Sequence, residues 1–421
     1  MLCVSALRRF AACFAAALVL FSATLRAADP AALGFDPQRL ARLDAMIQRE
    51  IDAGKLAGAV AIVKRDGQDA VLKAYGYSDV ENRIPMRTDA IFRIASMSKA
   101  FTTVAALMLY EEGRFLLSDP ISKWIPEFSH SVVAVSPPPG SPADVKYVTV
   151  PAKRGITVHD LMTHTAGLTY GDFLAKEDYQ KAKCYGWYLV DHDETIGDVV
   201  KRLAKLPLAS QPGEGFDYGY GTDVLGYLVE VISGQPLDKF IEERICRPLA
   251  LKDTCFYLPK EKADRLAVVY GIVDGKLTRM EDSKRTDFID GPRKLFSGGA
   301  GLVSTASDYG RFLQMLVNGG ELDGVRLLSP RTVALMHVNH TRDLFKWGTR
   351  AFGLGFWVNE EPGNLGENIG QGAYGWGSAY YPEYAVDPKE RLVMLLMMQL
   401  KPNDGGNLNH RYKPVIYQAL K

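Results

Sequence analysis

Ser96 and Lys99 stand three residues apart in "IASMSKAFTT". On a helix that spacing places the two side chains on one face, one turn from each other. A serine hydroxyl is a weak nucleophile until a base takes its proton, and lysine serves as that base only in its neutral form. The positive end of a helix dipole and partial burial both favour the neutral form. The pair is therefore a candidate engine for acyl transfer through a serine. Alone the string is weak evidence, since an SxxK is expected about once or twice by chance in a chain of this length. A capping serine beside a solvated lysine is the plainer alternative.

A helix is available to carry the pair. In "MSKAFTTVAALMLYEEG" Phe101, Val104, Ala105, Met108 and Leu109 recur at helical intervals and Gly113 offers a stop, so Ser96 falls at or near the N-terminus. Upstream, residues 36–53 carry Leu40, Leu43, Met46, Ile47 and Ile51 at the same spacing and predict a helix ending near Gly54. Two β-prone runs then flank Asp66-Gly67, a strong hairpin signal. Near the far end "AYYPEYAV" and "RLVMLLMMQL" flank "DPKE" as another strand pair. The second run is apolar on both faces, as a central strand covered on both sides would be.

Strands at both ends with mostly helical material between predict an antiparallel sheet flanked by helices, an α/β (α+β) fold in which the termini meet in one sheet. The boundaries are 28–115 with 285–421 for a discontinuous α/β domain, and 116–284 for an inserted, mainly helical domain. Helices are expected around "VHDLMTHTAGL", at 195–206, 221–233 and 236–248, with "SPPPGSPADV" (136–145) as a loop.

Residues 1–27 read as a secretory signal peptide: Arg8 and Arg9 precede an apolar stretch from Phe10 to Leu20, and small residues cluster at Ala27 and Ala28. The apolar core is shorter than the roughly 20 residues a membrane span needs. Cleavage removes three arginines and no acid, taking the formal net charge from +1 to −2. A nearly neutral chain gives no reason to expect nucleic acid as a partner, and no stable membrane span is expected after cleavage. A periplasmic or secreted location follows. Cys184, Cys246 and Cys255 then remain in an oxidising compartment, either as three reduced thiols or with one disulfide, for which Cys246 and Cys255 are nearest in sequence. No CxxC or HExxH occurs, so neither metal nor cofactor is expected. No GxSxG occurs either, which leaves an α/β-hydrolase triad without its elbow.

Two further segments change the weight of the SxxK string. "QPGEGFDYGYGTDVLGYLVE" has a Pro-Gly turn, then Tyr218, then a helix, and "GAYGWGSAYYPEYAVDP" has Gly-rich backbone at the start of a strand. With "FRIASMSKAFT" they resemble, in order and spacing, the three motif regions of the penicillin-recognising serine hydrolases: class C β-lactamases, D,D-peptidases and the β-lactamase-like esterases. "ISKWIPEF", "ITVHDLMTHTAGLTYG", "FSGGAGLVSTASDYGRFLQML" and "LSPRTVALM" extend the resemblance over nearly the whole chain after residue 27, most closely to the family VIII carboxylesterases.

The resemblance implies a β-lactamase/transpeptidase-like fold with Ser96 as the nucleophile that forms an acyl-enzyme, and with Lys99 and Tyr218 sharing the proton work, the acylation base being either one of them or the two as a coupled network. It also implies an oxyanion hole from the backbone amides of Ser96 and Ser378, beside Trp376 and Gly377 in the third motif. Two departures bear on substrate. The usual Tyr-x-Asn reads Tyr218, Gly219, Tyr220, and an aromatic ring cannot reproduce both hydrogen bonds of an amide. The third motif lacks the lysine that would neutralise a β-lactam or peptide carboxylate. Both favour an ester, short-chain or aryl, lacking that carboxylate. Tyr170, Trp187, Trp357 and Tyr374 are candidates to line an acyl or alcohol pocket, although each could equally pack in the core, and Tyr220, Trp376 and Gly377 of the second and third motifs are further candidates to contact substrate. His164 and His159 are read as structural. An amide hydrolase or acyltransferase with the same machinery is the enzymatic alternative, and a catalytically silent binding or sensor protein the non-enzymatic one. Oligomeric state is not legible.

Overall fold

The computed structural model describes residues 28–345, 347, 348, 350–361, 363, 367–404 and 406–421. The segment read as a signal peptide lies outside them. An eight-stranded sheet runs, from edge to edge, Arg350–Phe352, Trp357–Asn359, Tyr374–Gly377, Glu383–Asp387, Leu392–Met398, Gly58–Arg65, Gln68–Asp79, Ile84–Pro85, each pair antiparallel. The termini thus meet in one sheet, with Ala59 opposite Met398 and Arg65 opposite Leu392. The Asp66-Gly67 hairpin joins the strands Gly58–Arg65 and Gln68–Asp79, and both turn residues take positive φ (52° and 81°).

Leu392–Met398 is buried along its whole length because both faces are covered. Alternate residues feed different cores, as a period of two requires. Val393, Leu395 and Met397 join Val60 and Ile62 in the larger core, against the helices Ser98–Glu111 and Ala306–Val317. Met394, Leu396 and Met398 join Ala59, Ala61 and Val63 beneath the helices Arg42–Asp52 and Leu408–Tyr417, which pack on each other.

The predicted helix over 36–53 divides at Ala41 into Pro37–Leu40, capped by the Asp36 side chain, and Arg42–Asp52. Within 116–284, capping boxes at Thr157 and Thr195 start the helices Val158–Thr163 and Ile196–Leu203. Gly221–Ser233 ends at Gly234 with φ 74°, a left-handed stop. The helix expected over 236–248 is Leu237–Ile241 followed by a wider π turn, Glu242–Cys246. This stretch also holds two hairpins that the sequence reading omits, Val132–Val135 with Val148–Pro151 and Val269–Val273 with Lys276–Glu281. The three cysteines among the described residues, Cys184, Cys246 and Cys255, are free; the Cys246 thiol faces the Thr254 carbonyl instead of a second sulfur. Among the described residues no helix is long and apolar enough to cross a membrane.

Candidate active site

Ser96 sits in a 3₁₀ turn, Ala95–Met97, that runs directly into the helix Ser98–Glu111. The strand Ile91–Arg93, paired with Val303–Thr305, delivers the chain to this turn. The turn is tied on several sides: the Ile94 amide donates to Leu302 O (3.1 Å), the Leu302 amide to Ser98 Oγ (3.0 Å) and the Tyr309 hydroxyl to Met97 O (3.0 Å). Ala95 is fully buried and held at φ 36°, a region L-residues rarely adopt and one that costs of order 1–3 kcal/mol. Its packing with Val269, Ala300 and Tyr380 holds that geometry against the strain.

Lys99 is only 1% exposed. Its ammonium donates to Gly299 O (2.8 Å), Tyr170 Oη (3.1 Å) and Ser96 Oγ (3.3 Å), and lies 4.7 Å from the centre of the Tyr218 ring. Gly299 is fixed in turn by Asp223, whose Oδ1 accepts from the Gly299 amide (3.1 Å) and the Ser297 hydroxyl (2.5 Å). A Cβ on Gly299 would fall 2.5 Å from Asp223 Oδ2, so only glycine brings this carbonyl to the lysine. Burial pushes the Asp223 carboxyl above its ordinary pKa, while Lys99 and the two donors pull it back. Burial likewise raises the Tyr170 hydroxyl well above its usual value, with Tyr218 and Asp223 adding to it, so Tyr170 accepts from Lys99 as a neutral phenol.

Tyr218 arrives on the loop that starts the helix Gly221–Ser233, and its hydroxyl accepts from Trp376 Nε1 (3.0 Å). The adjoining Gly219 lets that loop press against Leu168 and Thr169, where a Cβ would meet Leu168 O at 2.3 Å. Gly219→Ala is expected to cost about 1–3 kcal/mol through overpacking and to displace Tyr218. Thermal melts and kcat measured together check this: a loss of Tm with kcat unchanged would disconnect the loop from the site.

The strand Tyr374–Gly377 lies against the Ser96 turn. Trp376, 5.3 Å from the Tyr218 ring and 5.2 Å from Phe352, leads into Ser378, where the chain turns through bonds from the Tyr380 and Tyr381 amides. A cavity of about 500 Å³ opens here, bringing together Ser96, Tyr170, Trp187, Tyr218, Trp357, Trp376, Gly377 and Ser378. Lys99 stands behind it.

Tyr220 and Tyr374 do not line this cavity. Tyr220 is fully buried and donates to Gly186 O (2.5 Å), and Tyr374 is buried with its ring stacked on His337. His164 is buried 4.6 Å behind the Tyr218 ring with neither ring nitrogen bonded, and burial followed by Lys99 drives its pKa well below the ordinary value, so it packs as a neutral ring. His159 Nε2 faces His340 Nδ1 at 3.2 Å, away from Ser96's partners.

Sequence reasoning missed part of the cavity wall: Trp347, Tyr381, Glu383, Asn409 and His410. Beneath it the Arg350 guanidinium lies between the Trp347 and Trp357 rings (4.5 and 4.2 Å), paired with Glu367, which also faces His410. Lys413 pairs with Glu383 at 2.5 Å, both buried. The Arg350 and Glu383 positions carry no local signal, whereas the Gly298-Gly299 pair in "FSGGAG" could have indicated a close backbone approach. Among the described residues no three His, Cys, Asp or Glu converge on a metal-sized space.

Comparison with known proteins agrees with this fold. The family model described as Beta-lactamase matches residues 43–416. Protein Rv1367c of Mycobacterium tuberculosis is 36% identical, over 85% of this chain and 90% of its own. Esterase EstB of Burkholderia gladioli is 32% identical, over 89% of this chain and 94% of its own. Among solved structures, EstCE1, described as a hydrolase with promiscuous acyltransferase activity, superposes with a TM-score of 0.77 at 26% identity, over 90% of this chain and 99% of its own.

Proposed function

The chain belongs to the β-lactamase family, and from that premise we propose that it is an exported carboxylesterase acting on short-chain or aryl esters through an acyl-enzyme on Ser96. Its broader class is that of a β-lactamase-fold serine hydrolase. In the proposed reaction Ser96 Oγ attacks the ester carbonyl and the Lys99/Tyr218 pair takes the hydroxyl proton. The backbone amides of Ser96 and Ser378 receive the developing oxyanion. The same pair returns the proton to the departing alcohol, and water, deprotonated by it in turn, releases the acid.

The observation that carries the ester preference is the placement of Tyr220. Its hydroxyl is spent on Gly186 O, and its ring is buried, so the second motif presents no amide-reading side chain to the cavity. The wall offered instead is aromatic, with Tyr170, Trp187, Trp357 and Trp376 suited to an apolar acyl or aryl group. The EstB name supports ester chemistry, and the EstCE1 description supports acyl transfer to an added alcohol as a side reaction. The arginine-led apolar stretch within residues 1–27 supports export to the periplasm or medium.

A p-nitrophenyl acyl ester series run beside a chromogenic cephalosporin tests the reading. Release from the esters is expected to exceed cephalosporin opening by at least about 100-fold in kcat/KM, the scale on which an unread polar group is penalised. A cephalosporin preference would replace the esterase reading with the amide-cleaving one.

A further inference from the structure

Trp187 separates the catalytic cavity from a second one. Trp187, Ser378 and Ala379 line the first, whereas their chain neighbours Tyr188 and Tyr380 line an adjoining cavity of about 780 Å³. Lys401 also lines the second cavity, with its ammonium 4.0 Å from the centre of the Trp187 indole and 5.8 Å from the Tyr380 ring.

The backbone holds this lysine in place. The Lys401 amide donates to Tyr270 O (2.6 Å), and the Leu400 amide to Tyr380 O (3.0 Å). The acids of the cavity are already engaged: Glu281 pairs with Arg93 (3.0 Å), Asp287 accepts from the Tyr188 hydroxyl (2.9 Å) and Asp290 pairs with Lys260 (3.4 Å). Among the described residues, neither Lys401 nor Arg285, the other cation of this wall, forms an ion pair. Burial lowers the Lys401 pKa with no opposing carboxylate, as for an ammonium lacking a counter-charge. A half-buried cation held on two aromatic rings and left without an acid is costly for a merely structural lysine and well suited to a charged ligand.

We propose that Lys401 is an anion-recognition residue, and that the preferred esters carry a carboxylate or similar anionic group that reaches past Trp187 to the Lys401 ammonium. The proposal rests on the esterase reading and refines it: the cavity at Ser96 is aromatic, and the charge is read one ring beyond it. The anionic group is carried either by the acyl chain or by the alcohol, and the two positions are separable by experiment.

The test compares kcat/KM for p-nitrophenyl hemiglutarate against p-nitrophenyl valerate, and for 4-carboxyphenyl butyrate against 4-methylphenyl butyrate, in the wild-type, Lys401→Met and Lys401→Arg proteins. In one pair the anionic-to-neutral ratio is expected to fall about tenfold or more in Lys401→Met, mainly through KM, and to recover in Lys401→Arg. A ratio that stays within about twofold in both pairs overturns the proposal, because a lysine that only props Trp187 would slow both members equally. Should the wild type hydrolyse none of these esters, the esterase reading fails separately. Calorimetric titration of the Ser96→Ala protein with the same four compounds then decides: tighter binding of an anionic member, lost on adding Lys401→Met, supports the anion site, and equal binding overturns it.

Discussion

Replacing Ser96 by alanine is expected to lower ester turnover by roughly 10⁴-fold or more while moving Tm by no more than about 2 °C. The size follows from losing the covalent route altogether, and the small thermal effect from the position of the side chain. Ser96 is half-buried at the cavity, and among the described residues its side chain bonds only to Lys99, at 3.3 Å, which keeps Gly299 O and Tyr170 Oη as acceptors. The nearby Ser98 supplies the internal control. It is fully buried and accepts from the Leu302 amide, so Ser98→Ala should disturb stability more than turnover. Intact-protein mass after reaction with a phosphonate ester completes the test: the wild type should gain one adduct and Ser96→Ala none. Residual turnover within tenfold of wild type would place the nucleophile elsewhere.

The second large effect concerns the proton. Lys99→Met should reduce kcat by about 10³-fold, within the range ascribed to general base catalysis, with KM little changed. Methionine keeps the length of the side chain but deprives Gly299 O of its donor, so some loss of Tm accompanies it. Lys99→Arg is the informative companion, because a guanidinium retains the charge and cannot be deprotonated. If Lys99 itself takes the Ser96 proton, arginine should be as inactive as methionine. If the lysine serves only as a cation beside a Tyr218 phenolate, arginine should recover a substantial fraction of kcat. Melting curves for both variants separate loss of chemistry from loss of fold.

Features legible in the sequence were those whose causes are local. Asp66-Gly67 dictates its hairpin through positive φ, the unbroken apolar run at 392–398 requires cover on two faces, and the helix over 221–233 ends at its glycine. The hairpin Val269–Val273 with Lys276–Glu281 was missed although Asp274-Gly275 turns it, because the flanking runs are too mixed in polarity to declare a buried face. In the site, Ser96, Lys99 and Tyr218 could be singled out because a motif ties each to a chemical role. The aromatic candidates had no such tie, and they divided: Tyr170, Trp187 and Trp357 face the cavity, whereas Tyr220 and Tyr374 are packed inside. Asn409 and His410 reach the wall only because the last helix folds back over the sheet, a contact no spacing announces.

That same fold-back sets an order on assembly. The strand Gly58–Arg65 finds one neighbour at once in Gln68–Asp79, but its other edge waits for Leu392–Met398, and Asp36 and Gly34 wait for the carbonyl of Ala419 and the amide of Lys421. A ribosome therefore delivers Ser96 long before the strand that completes the sheet, and the nascent chain carries an apolar open edge through most of its synthesis. Shortening the far end by even one helix would not trim an appendage; it would uncover one face of the sheet and remove part of the cavity wall together.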